Sequence, residues 1–387
     1  MNAKRSLFFD TSLIYFLVIV GFVGIRIASN LVQLPGAFSE VFNISIQVIL
    51  MLLLPFLAYK ILRKKKTIEV FKDFNIKAIG IKAILITLVI GFLIYFLNLV
   101  VAGFFNIFIY STGYDPSFGL SSASAENGYS TIMFLGDILV TAILPGICEE
   151  FCHRGLLVNG YKQLGTKKTI FLVGFLFGLM HLNIEQFFYA SIIGMFLTYL
   201  VFVTGSIIPS MIVHFMNNAM GLYVSFASYH NLPLGNLRSN LVRILSGNII
   251  SVLTTMLFIM FILVTVLTWL VFSLFKQTRV REYKKLAEDA IARKERESIL
   301  DSFNLDINEL DVLQGIKRNE DEPEVIMSSD TGTYGRKGVI LDIRFQNQIL
   351  NGDCSIRKPS ITDKAFLIGT IFIGIFITIS TLIWGLL

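Results

Sequence analysis

Apolar residues make up 54% of this 387-residue chain and charged residues only 16%, with a mean hydropathy of +0.70. A soluble domain carries about a quarter charged residues, so a water-soluble fold is excluded for most of the length. The net charge of +6 sits in loops, where it directs topology and calls for no nucleic-acid partner, and three cysteines build no disulfide framework.

A membrane span needs about 20 predominantly apolar residues. In chain order such stretches fall near 11–32, 43–62, 80–109, 132–158, 169–183, 187–203, 207–228, 248–275 and 365–386. The first follows Lys4 and Arg5, but no small-residue cleavage site comes after it, so it reads as an anchor and not as a signal peptide. Arg63-Lys64-Lys65-Lys66 with Lys72 and Lys77 mark the second loop as cytoplasmic. Lys162, Lys167 and Lys168 do the same for the fourth, and Arg279, Arg281, Lys284 and Lys285 for the eighth. If every span crosses once these loops share a side. The N-terminus is then cytoplasmic and Leu387 outside, in a protein integral to the cell membrane. Arg238 and Arg243 run against that pattern.

The stretch from Lys276 to Lys364 differs: it holds 16 of the 33 basic and 17 of the 27 acidic residues. A charged helix is expected from Arg279 to Ser302, with Arg293 and Glu297 spaced i,i+4. Glu320-Asp321-Glu322-Pro323-Glu324 reads as linker, and the alternation over Val339–Phe345 as a short strand. The expected fold is an all-α polytopic transmembrane helical bundle of about eight core spans, with a small cytosolic segment and a C-terminal single-span anchor. Its parts are N-terminal transmembrane helices (1–130), a candidate catalytic core (131–228), a further helix (229–275), the soluble segment (276–364) and the anchor (365–387). The soluble segment offers a surface for a membrane protein partner.

Only ten acids lie outside that segment, and Asp137, Glu149 and Glu150 are the ones embedded in apolar sequence. Three of the four histidines, His153, His181 and His214, lie in or against spans, while His230 reads as a loop residue. Titratable groups at membrane depth cost several kcal/mol and face a bundle interior. Asp137 and Arg26 lack evident partners, and Cys148 and Cys152 read as small buried thiols. Glu150 and Arg154 are i,i+4 on one helical face, so the guanidinium can neutralise the carboxylate. Glu149 is turned by about 100° toward another direction and is i,i+4 from His153. A turn near Gly165 puts Glu149 and His181 each 16 residues away, at matching depth in an antiparallel hairpin. His214 and Asn218 are again i,i+4, whereas Asn217 points elsewhere.

A carboxylate, two imidazoles and an amide in a low-dielectric pocket suit hydrolysis of an amide. The carboxylate takes a proton from water and the donors stabilise the oxyanion. Two histidines and one glutamate also match a catalytic zinc set. No HExxH is present, so a divalent metal such as zinc and a metal-free glutamate mechanism stand equally open. The bland alternative is a Glu–Arg pair that merely locks two helices, with the histidines as hydrogen-bonding core residues; the whole constellation on three helices weighs against it.

EExxxR over Glu149–Arg154, FxxxH over Phe177–His181 and HxxxN over His214–Asn218 resemble the CAAX protease and bacteriocin-processing (CPBP, or Abi) family, which includes type II CAAX prenyl endopeptidases. The resemblance covers about Thr131 to Tyr223. It implies that Glu149 is the general base, supported by Glu150 and Arg154, and that His181 shares activation of the water. It further implies that His214 and Asn218 form the oxyanion site, that Phe177 packs, and that the substrate is a membrane-bound protein or peptide reached in the lipid bilayer. The alternative is a non-proteolytic scaffold or immunity-type protein binding a partner enzyme, for which 276–364 is the motivating feature. A proton-coupled transporter would need an inverted repeat, and none is evident.

Overall fold

The computed structural model describes residues 6–32, 44–114, 129–237, 240, 243, 247–303 and 360–386, and among them the regular structure is helical, without strands. The expected linker at Glu320–Glu324 and strand at Val339–Phe345 lie outside the described residues. Two compact units are present: Met1–Leu274 with Lys358–Leu387, and Phe275–Arg357. Of the second unit, the described part is helical, residues 275–303.

The helices are α1 (Leu7–Val32), α2 (Ile44–Leu62), the short α3 (Thr67–Asp73), α4 (Ile81–Ser111), α5 (Thr131–Leu164), α6 (Thr166–Met180), α7 (Ile184–Thr204), α8 (Ile208–Tyr229), α9 (Ile249–Phe303) and α10 (Ile361–Leu386). Local chemistry sets their ends. Ser130 Oγ accepts from Met133 N at the start of α5. Gly165, at φ +88°, turns the chain into α6, a backbone conformation with little steric cost for glycine. Asn183 caps α7 by accepting from Glu185 N at 2.8 Å, and Gly205 ends it at φ +68°.

Seven of these, α1, α2, α4, α5, α7, α9 and α10, contain stretches long and apolar enough to cross a membrane. Nine were expected, and two fall short for different reasons. The stretch at 169–183 is α6, whose 15 residues rise only about 22 Å against a hydrocarbon core of about 30 Å. The stretch at 207–228 is α8, long enough at 22 residues but interrupted by Ser210, His214, Asn217 and Asn218. Both are sheltered by neighbours. α6 packs along α7, where Gly174, Gly178 and Gly194 bring the backbones close: a Cβ on Gly194 would stand 3.1 Å from the Gly174 Cα. α8 packs between α4 and α5. α10 joins the bundle against α1, through Phe366 against Phe9 and Phe16 and through Ser6 Oγ donating to Asp363 at 2.7 Å.

Candidate active site

The site begins with a distortion of α5. Pro145 has no N–H to return to the carbonyl four residues back, that of Thr141, and the helix is widened to π geometry over Ile138–Ile143. The Thr141 carbonyl accepts from Asn218 Nδ2 of α8 at 3.0 Å. A short α segment of seven residues, Leu144–Glu150, then presents Glu149 and Glu150 before a second π stretch, Phe151–Leu157.

Glu150 and Arg154 are fully buried and meet at 2.7 Å, as their spacing predicts. The same carboxylate oxygen accepts from His214 Nδ1 at 2.9 Å. Arg154 Nη2 donates to the Gly194 carbonyl at 2.9 Å, and its guanidinium lies over the Phe177 ring at 4.5 Å. A buried charge pair with these partners holds α5, α7 and α8 in one arrangement, since removing either charge strands the other in low dielectric.

Glu149, on the adjacent side of the helix, keeps 9% of its surface exposed. Gln47 Nε2 from α2 donates to Glu149 Oε1 at 3.2 Å, and His214 Nε2 stands 4.0 Å from Oε2. His214 therefore bridges the two carboxylates, one ring nitrogen toward each. An ionised Glu150 can only accept, so the bond to it requires the proton on Nδ1 and leaves Nε2 of the neutral ring as an acceptor facing Glu149.

His181 closes α6 with Nδ1 bonded to the Phe177 carbonyl at 2.8 Å, and makes no hydrogen bond to Glu149 among the described residues. Phe177 is the hub of the aromatic packing. Its ring meets those of His153 (5.1 Å), His181 (5.0 Å) and His214 (5.6 Å) near right angles. His153 is wholly buried, with Nδ1 at 2.8 Å from the Glu149 carbonyl and Nε2 at 3.0 Å from Tyr15 Oη of α1. Asn218 sits at the end of an amide chain in which Asn98 Nδ2 donates to Asn217 Oδ1 and Asn217 Nδ2 to Asn218 Oδ1, each at 3.2 Å. Asn217, which the spacing turns away, thus orients Asn218.

The structure gathers Glu149, Glu150, Arg154 and His214 into one contact network, with His181 joined through Phe177 and Asn218 through the Thr141 carbonyl. Gln47, Asn98 and Tyr15 belong to the same surroundings and carry no motif; a lone amide inside an apolar span is the signal that points to the first two. Asp137 does find a partner, accepting from Tyr129 Oη at 2.6 Å. Cys148 and Cys152 are buried free thiols. Among the described residues no three His, Cys, Asp or Glu side chains converge as a metal-ligand set. His214, one of the three ligands of the zinc set that the sequence suggests, has Nδ1 bonded to Glu150.

Residues 131–220 match the family model described as type II CAAX prenyl endopeptidase Rce1-like. This stretch covers α5, α6, α7 and the first half of α8, the helices that carry every sequence-derived candidate. No curated protein and no solved structure shows significant similarity to the chain.

Proposed function

We propose, from the premise that residues 131–220 form an Rce1-like domain inside an integral membrane bundle, that this chain is an intramembrane endopeptidase acting on a membrane-associated protein or peptide. Its basic corners lie on the cytoplasmic face of the cell membrane, with the N-terminus inside. The observation that carries the reading is the pair Glu149 Oε2 and His214 Nε2, two acceptors 4.0 Å apart. Two hydrogen bonds of about 2.8 Å from one water span that gap at an angle near 90°, close to the angle between its two O–H bonds.

In this mechanism the water gives its two O–H bonds to Glu149 and His214, and His181, with Nδ1 bonded to the Phe177 carbonyl, packs on the Phe177 ring that also meets His214. Glu149 takes a proton from the water as its oxygen attacks the scissile carbonyl carbon. The oxyanion is stabilised by the second N–H of Asn218, whose first is held by Thr141. Collapse breaks the C–N bond, and Glu149 returns the proton to the leaving nitrogen, giving a carboxylate and an amine. Glu150 and Arg154 act behind His214 by setting its tautomer. The resemblance assigns His214 to the oxyanion; the bond to Glu150 supports assigning it to the water.

The test is purified protein in proteoliposomes, offered lipidated C-terminal peptides, with released fragments read by mass spectrometry. Wild type should cleave and Glu149→Gln should not. Equal cleavage by both would sink the mechanism.

A further inference from the structure

The corner between α2 and α3 has a charge and a shape that the proposed chemistry does not use. From Lys60 to Lys77 seven basic residues stand against two acidic ones. Both acids are occupied within the fold. Asp73 accepts from Tyr59 Oη at 2.8 Å and pairs with Lys65 at 3.4 Å, and Glu69 caps the backbone N–H of Lys66. Arg63 is paired with Asp10 at 3.1 Å, and Lys60 Nζ donates to Thr67 Oγ1. Lys64, Lys66 and Lys72 remain exposed, and no described carboxylate pairs with them.

α3 itself is apolar on two sides. Val70 and Phe74 are fully buried, Phe74 with its ring 5.1 Å from that of Phe151 and filling the space where a Cβ on Gly155 would stand. The outer side carries Ile68 at 60% exposure and Phe71 at 36%, with Ile61 exposed one turn before the corner. Position explains the exposed apolar groups: the span Ile44–Leu62 ends just before α3 and the span Ile81–Ile109 begins just after it, so the corner lies at the membrane boundary. Apolar side chains flanked by unpaired ammonium groups at that level form an interfacial pattern, with lysine stems lying along the apolar surface and their heads at the phosphates.

We propose that this corner is a binding surface for anionic phospholipid headgroups, met by Lys64, Lys66 and Lys72 while Ile68 and Phe71 enter the acyl boundary. The surface is independent of whether the chain cleaves peptides. Its place in the fold gives it reach, because the segment following α3 accepts from Ile207 N at the Asn75 carbonyl (3.0 Å) and from Ser206 Oγ at the Lys77 carbonyl. A bound headgroup therefore braces the second π stretch of α5, through Phe74, and the turn that leads into α8.

Thermal unfolding and native mass spectrometry of the full chain in detergent test this, titrating short-chain phosphatidylglycerol, phosphatidylcholine or inorganic phosphate. Phosphatidylglycerol alone should raise the unfolding temperature by several degrees and remain as an adduct. Lys64→Gln/Lys66→Gln/Lys72→Gln should weaken its binding on the order of a hundredfold, at roughly fivefold per lysine. The corresponding triple arginine variant should retain it, as should Lys167→Gln/Lys168→Gln, which neutralises the exposed lysines in the first turn of α6. An equal response to phosphatidylcholine, an equal response of the triple glutamine variant, or loss in the Lys167/Lys168 control would overturn the proposal. A shift reproduced by inorganic phosphate would overturn it too, by assigning the site to a free anion. If the triple glutamine variant is less stable before lipid is added, salt decides: a wild-type response abolished at high salt supports headgroup pairing, and a salt-insensitive one refutes it.

Discussion

α7 and the membrane stretch of α9 are both apolar helices, yet 61% of the α7 span is buried in protein against 11% of Ile249–Thr278 in α9. The more exposed helix is the more apolar one. α9 turns Phe258, Phe261 and Trp269 outward, each at least 65% exposed, while Val252 and Met256 pack on Val100 of α4. α7 instead carries Ser191, Gly194 and Thr198, and its Gly194 carbonyl receives both Arg154 and Thr198. Lipid is as apolar as leucine, so burial in this molecule is driven by close backbone approach and by polar groups that need partners. Between these two helices, small and polar residues mark the one held inside, and outward large apolar ones mark the one on the lipid face.

The comparison breaks most sharply at the site. Glu149→Gln keeps the shape of the side chain and a hydrogen-bonding partner for Gln47, but removes the base. Peptide cleavage should fall about 10²–10⁴-fold with little change in unfolding temperature. A large loss of stability would instead make Glu149 a structural group. Arg154→Met should act the other way, leaving Glu150 buried beside His214 without its main countercharge. We expect a loss of about 3–5 kcal/mol, with much of it recovered in Glu150→Gln/Arg154→Met, measured as a double-mutant cycle by unfolding in detergent. Additive losses would contradict the pairing.

Backbone approach is tested by glycine. A Cβ at Gly178 would overlap Ser191 Oγ and stand 2.6 Å from the Phe187 carbonyl, so Gly178→Ala should destabilise by about 1–3 kcal/mol. Gly24, in α1, has nothing within 4 Å, and Gly24→Ala should be neutral or stabilising by up to about 1 kcal/mol. Equal effects at the two positions would mean that the α6–α7 interface yields more readily than its geometry implies.

Much of this was legible before the fold. Spacing alone pairs Glu150 with Arg154, because i,i+4 geometry is local, and it puts the acids, His181 and His214 on helices that can converge. Helical spacing also turns Glu149 away from Glu150, as found. It does not show that His214 joins both carboxylates, since that depends on the rotation of α8 against α5. Gln47 and Asn98 stand out in the sequence only as single amides inside apolar spans, and what each faces depends on tertiary packing. Two of the nine stretches fall short as spans, α6 by its length and α8 by its polar residues, neither of which a count of apolar runs weighs.

The smallest expected effect makes the lipid-facing half of the comparison testable with one kind of change made twice. Phe258→Leu on α9 exchanges one apolar side chain for another at a position 65% exposed, where lipid chains refill the lost volume. Stability should move by less than about 0.5 kcal/mol. Phe177→Leu makes the same exchange at a ring that is 3% exposed and touches the Arg154 guanidinium and three imidazoles. There the lost contacts include a cation–π interaction and edge-to-face packing, together about 1–3 kcal/mol, and His214 loses the wall that fixes its ring. Unfolding measured side by side, with cleavage followed in the same preparations, should show Phe177→Leu impaired in both and Phe258→Leu in neither. If Phe258→Leu were the more damaging of the two, α9 would be covered by protein in the membrane, and its outward aromatic face would be an interface.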